Sequence, residues 1–108
     1  MTASFENLRD IFEKMNTEGW DTGSALKWGF FFFDKDKDKL LSLFTELENH
    51  TYHLEELHQA DDGDWVLHIS KLDLLTPEKL HRRNIAFNEL AMHCGVGLYD
   101  GWDVEQVK

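Results

Sequence analysis

The chain has 108 residues, 42% of them hydrophobic and 13% aromatic, with 21 acidic and 11 basic side chains and a formal net charge of −10. That length and apolar content give one domain with a real core and exclude a disordered segment. The charge argues against direct contact with nucleic acid phosphates or an anionic membrane and favours a basic protein as partner.

Residues 4–17 predict an amphipathic helix. Phe5, Leu8, Ile11, Phe12 and Met15 form its apolar stripe, Ser4 its cap and Gly19 its stop. Trp20-Asp21-Thr22-Gly23-Ser24 is a turn-rich connection. Residues 1–24 are thus a helix and connection set ahead of the main body, 25–108, within one domain.

The main body opens on Trp28-Gly29-Phe30-Phe31-Phe32-Phe33, inside an expected strand over 26–34. The run is far short of the ~20 apolar residues that cross a bilayer. It suits a strand buried on both faces, with Trp28, Phe30 and Phe32 pointing one way and Phe31 and Phe33 the other. Residues 39–49 have helical spacing through Leu40, Leu43, Phe44 and Leu47, and the aspartates of 34–38 suit the entry of that helix. Residues 50–58 read as a polar strand on which Tyr52 and Leu54 share a face with Glu56 and His58. Ala60-Asp61-Asp62-Gly63-Asp64 is a hairpin signal, and a third strand follows over 65–71.

Thr76-Pro77-Glu78 starts the clearest helix, running to about residue 93 and burying Leu80, Phe87, Leu90, Ala91 and Cys94 before Gly95 closes it. The last strand begins at 96 and extends towards 104, with a bulge or bend at Gly101. The order after the first helix is βαββαβ. It predicts an α+β, ferredoxin-like sandwich with a four-stranded antiparallel sheet, its first and third strands central, and an extra N-terminal helix. Two helices cover one sheet face. The other face calls for the N-terminal helix, a second copy in a homodimer or a partner.

The chemistry-bearing patterns are weak. Asp34, Asp36 and Asp38 imitate the start of a calcium loop, but Lys39 stands where glycine is needed and Thr45 where glutamate is. His50, His53, His58 and His68 match no metal-ligand spacing. Cys94 sits at a helix end, where the dipole disfavours a thiolate, and reads as structural. There is no phosphate loop or nucleophile elbow. The expectation is a protein without catalytic residues, metal or cofactor. The lone cysteine and an N-terminus unlike a signal peptide point to the cytoplasm.

Tyr99-Asp100-Gly101-Trp102 stands out after the last helix, alongside Glu55-Glu56 ahead of the acidic Asp61-Asp62-Gly63-Asp64 turn. On these motifs, and on the leading helix with its Gly19-Trp20-Asp21 connection, the chain resembles the RraB family, the regulators of ribonuclease E activity B. The resemblance implies a cytoplasmic, non-enzymatic protein that binds ribonuclease E and inhibits its cleavage of RNA. Glu55, Glu56, Asp61, Asp62 and Asp64 are then the expected charged contact, with Tyr99, Asp100 and Trp102 nearby and Trp102 as aromatic anchor. The competing readings are an immunity-type protein that neutralises a toxin, and a small-ligand or metal-binding module using the His53 and His68 face.

Overall fold

The Phe-rich segment is a central strand. In the computed structural model, which describes residues 5–107, it forms β1 (Leu26–Asp34), paired on one side with β3 (Trp65–Asp73) and on the other with β4 (Leu98–Glu105). β2 (His53–Gln59) pairs with β3, so the sheet runs β2-β3-β1-β4, antiparallel throughout and open at both edges. The two most apolar strands are the central ones, and the charged β2 is an edge, as its composition leads one to expect. With three helices, α1 (Phe5–Thr17), α2 (Lys37–Glu48) and α3 (Pro77–His93), this is an α+β fold.

One face of the sheet carries the core. Trp28, Phe30 and Phe32 are at most 1% exposed and alternate along β1 with residues of the other face. Phe30 meets Phe87 of α3 edge-on at 4.8 Å, and Phe12 of α1 stacks on Trp28 at 5.7 Å, geometries worth ~0.5–1.5 kcal/mol each beyond area burial. The Trp28 indole N–H donates to the carbonyl of Asp73 at 3.1 Å, so the largest core side chain is also satisfied. The core residues of α1 (through Phe12), α2 (through Leu40 and Leu43) and α3 (through Phe87) belong to the same cluster as Trp28, Phe30 and Phe32. Of the covers expected for the second face of β1, the N-terminal helix is overturned. α1 packs against Trp28 on the core face, and Phe31 and Phe33 remain half-buried on the other.

The local signals explain the helix ends. Asp36 caps α2, its side chain accepting from the Asp38 amide at 2.9 Å, so the helix starts two residues before the apolar spacing suggested. Thr76 accepts from the Lys79 amide at 3.2 Å and Pro77 opens α3. At the other end the Gly95 and Val96 amides return to Met92 and Ala91, a Schellman closure that buries Val96 and delays β4 to Leu98. The Ser4 cap expected for α1 lies outside the described residues. Ile11 is 37% exposed, at the margin of the stripe made by Leu8, Phe12 and Met15.

Two bulges set which residues face which way. Between Phe31 and Phe32, β4 slips register: Phe31 pairs Gly101, Phe32 pairs Tyr99, and Asp100 is the extra residue. Tyr99 and Trp102 are three apart, an odd separation that would place them on opposite faces of a regular strand. The inserted residue puts both on the core face, Tyr99 buried and Trp102 against Trp28 at 5.6 Å. Gly101 takes φ +118°, a conformation that side chains with a Cβ rarely adopt. The second bulge lies in β2 between Leu54 and Glu56. Leu54 sits opposite core-side Ile69, whereas Glu56 sits opposite His68 on the other face. The face shared by Tyr52, Leu54, Glu56 and His58 in a regular strand is therefore split in two. His50 and Thr51 belong to the turn before β2, Thr51 at φ +68°.

Candidate partner-binding surface

The face of the sheet away from the helices is paved with interlocked polar and aromatic side chains. Phe31 lies flat on His68, ring centroids 4.2 Å apart and 12° from parallel. His68 Nε2 faces Asp103 Oδ1 at 3.8 Å across Gly29. A Cβ on residue 29 would collide with that Asp103 oxygen and sit 2.6 Å from His68 Nε2, so the glycine in the aromatic run makes room for a pair formed by its two neighbouring strands. Glu55, displaced by the β2 bulge, reaches over β3 to Lys27 Nζ on β1 at 2.7 Å and accepts from the Ser70 hydroxyl at 3.0 Å. Those two contacts, the Lys27 bond first, hold the Glu55 carboxyl below its ordinary range, and the same bond raises Lys27. Glu56 pairs with His58 at 3.0 Å. Apolar surface remains at Leu98, 43% exposed, and Leu72, 59% exposed.

The expected contact residues do not form one patch. Glu55 and Glu56 lie on edge strand β2, while Tyr99, Asp100 and Trp102 lie on β4, the opposite edge, about three strand spacings or ~14 Å away. Trp102 faces the core side and so is not the neighbour of the glutamates. Tyr99 is 4% exposed and its hydroxyl donates to Asn84 Oδ1 at 2.5 Å. Burial pushes its phenol far above the usual range. It is withdrawn from any partner and acts as a fixed post for the bulge.

The turn aspartates are differently placed. Asp61 and Asp62 are exposed, and the Asp62 carboxylate accepts from the Asp64 amide at 3.0 Å, shaping the turn. Among the described residues no ion pair within 4.0 Å involves Asp61, Asp62 or Asp64, whereas Glu55 pairs with Lys27 and Glu56 contacts the His58 ring. Asp64 shares the end of the sheet with Asp34, Asp36, Lys35, Lys39, Phe33 and Leu98, which line a concavity of mixed charge of about 590 Å³. Asp34 is spoken for: its carboxylate accepts from the Gly97 amide at 2.8 Å and the Asp36 amide at 2.7 Å, tying β1 to the start of β4. Sequence reading missed this convergence because it joins residues 30 to 60 positions apart. The aspartate-lysine run was visible, but not its neighbour across the sheet.

Sequence reading also missed Asn84, 2% exposed on the helical stripe Leu80, Asn84, Phe87, Ala91. A polar residue in phase with three core residues was the available signal. His53, His58 and His68 do share the open face, yet no group of three or more His, Cys, Asp or Glu among the described residues is arranged to hold a metal ion. Cys94 donates towards Glu46 at 3.4 Å, and burial followed by that carboxylate pushes the thiol up, the reverse of an activated nucleophile. No described helix is long and apolar enough to cross a membrane.

A family model described as regulator of ribonuclease activity B, RraB, matches residues 6–104. The chain belongs to this family. No curated protein matches the chain. The RraB match begins in α1 and ends in β4, so both sheet edges and both bulges fall inside it. RraB proteins are described as regulators of ribonuclease activity, which implies a ribonuclease as partner. In this RraB chain the Tyr99-Asp100-Gly101-Trp102 motif has a structural meaning: two aromatics anchored in the core hold an exposed aspartate on a bulged edge.

Proposed function

We propose that this chain is a non-enzymatic, cytoplasmic inhibitor that binds ribonuclease E, or a close relative of it, by direct protein contact. The observation that carries the reading is the family match over residues 6–104, and the acidic surface supports it. The β1-α2-β2 and β3-α3-β4 order is read here as a ferredoxin-like sandwich, with residues 1–24 as an added helix and connection in the same domain. The contact is dominated by Asp61, Asp62 and Asp64, none of which has an ion pair within 4.0 Å among the described residues, with Asp100 contributing from the other edge. Glu55, already paired with Lys27, and Glu56, in contact with the His58 ring, add less. Tyr99 and Trp102 serve the surface from behind by fixing the bulge. A negative patch of this kind steers encounter with Arg- and Lys-rich segments and sets the salt dependence of binding.

The test is a titration of purified ribonuclease E with this chain, read both as binding and as cleavage of an RNA substrate. Replacing Asp61, Asp62 and Asp64 together by asparagine, which keeps the turn hydrogen bond, is expected to weaken binding roughly tenfold at low salt and to flatten its salt dependence. Normal cleavage at saturating protein overturns the inhibitor reading.

A further inference from the structure

The chain carries nearly twice as many acids as bases, yet one concavity on the helix side of the sheet is lined by cations and by no carboxylate. Four of the eleven basic side chains, Lys71, Lys79, Arg82 and Arg83, converge there with His50. Lys79, Arg82 and Arg83 share one face of α3 at i, i+3 and i+4, and the fold adds Lys71 from β3 and His50 from the turn after α2. The wall behind them is aromatic. Tyr52, 7% exposed and held edge-on by Phe87 and Phe30, lies within 5.0 Å of Lys71 Nζ and 6.0 Å of the Arg83 guanidinium. Cation–π attraction to one rigid ring therefore positions two of the charges. Arg83 is further fixed by Asp73 at 2.9 Å, while Lys71, Lys79 and Arg82 have no ion pair within 4.0 Å among the described residues.

We infer that this concavity is a binding site for a small phosphomonoester. Three unpaired cations around a preformed, partly apolar wall match the several oxygens of a terminal phosphate. The volume, about 460 Å³, is that of a site for one small molecule. Charge selects size as well. A long polyanion would extend past the rim onto a surface whose net charge is strongly negative, so an extended nucleic acid gains at the pocket and loses beyond it. This site lies on the helix side, apart from the acidic turn and the open sheet face, and does not depend on the ribonuclease reading.

The experiment measures binding of adenosine 5′-monophosphate and of inorganic phosphate by calorimetry and thermal shift, with adenosine and chloride at matched ionic strength as controls. The expected result is saturable binding of both phosphates, none of adenosine, and a loss of about tenfold for each of Lys71→Gln and Arg82→Gln. Lys79→Gln, on an exposed position, repeats the loss without touching the aromatic wall, and Lys14→Gln on α1 removes one charge elsewhere and leaves affinity unchanged. Equal stabilisation by chloride, or equal losses in the Lys14 variant, overturns the inference. So does an affinity for 5′-phosphorylated RNA that climbs with strand length, which would mark a nucleic acid surface instead.

Discussion

The two faces of the sheet are built from alternate residues of the same strands and share no chemistry. On the covered face, β1 presents Trp28, Phe30 and Phe32 to three helices, and the polar groups there, Asn84 and Tyr99, answer each other. On the open face, the same strand presents Lys27, Gly29, Phe31 and Phe33, where Lys27 pairs with Glu55, and His68 stacks on Phe31 and faces Asp103. Stability resides in the first, where water is excluded and area is buried. The second, and the turn at its end, keep charged side chains accessible.

That contrast can be broken by paired substitutions. Phe30→Ala removes a fully buried ring and is expected to lower unfolding free energy by about 3–5 kcal/mol, whereas Phe31→Ala, half-buried, lowers it by about 1–2 kcal/mol in urea titrations. Equal losses would mean that the open face is covered in solution, and a dependence of the Phe31 loss on protein concentration would identify a second copy as the cover. Asn84→Leu strands the Tyr99 hydroxyl in the core and is expected to lower unfolding free energy by about 1–3 kcal/mol. Adding Tyr99→Phe to that variant should restore part of the loss, since both partners are then apolar.

Gly101→Ala tests the bulge. No atom lies within 4 Å of the added Cβ, so the expected penalty of about 1–3 kcal/mol is purely one of backbone conformation. The Trp102 fluorescence should change with it, because the ring rests on Trp28 only while the bulge holds. The smallest effect belongs to the exposed Lys27–Glu55 pair. Glu55 has a folded pKa below its ordinary value, so its contribution is present above the ordinary carboxylate range and is lost as pH falls through the depressed value. Glu55→Gln should therefore be slightly less stable than the parent at neutral pH, with the gap closing in strong acid. A gap that persists there would show that the glutamate acts by packing rather than charge.

The sequence was legible wherever information is local. The aromatic run has to be a buried strand, Thr76-Pro77 has to open a helix, and Gly101 marks a bulge, because alternation, capping and positive φ are properties of a few adjacent residues. Where reading failed, the missing fact was nonlocal. The face assignment in β2 was lost at Glu55, since one inserted residue inverts everything after it and nothing in His53-Leu54-Glu55-Glu56 announces the insertion. Trp102 and Glu55-Glu56 are both strong features in the sequence, yet strand order sets them on opposite edges.

Amino-acid order alone determined that this protein has an aromatic sheet centre, an acidic exterior and capped amphipathic helices, for those follow from side-chain periodicity and charge count. Only the tertiary structure decided that all three helices gather on one face, that Asp100 rather than Trp102 is turned outward, and that Lys71, Lys79, Arg82 and Arg83 meet His50 around one tyrosine. Such meetings depend on how distant segments pack. Packing is fixed by the shapes of surfaces that exist only once the chain has folded.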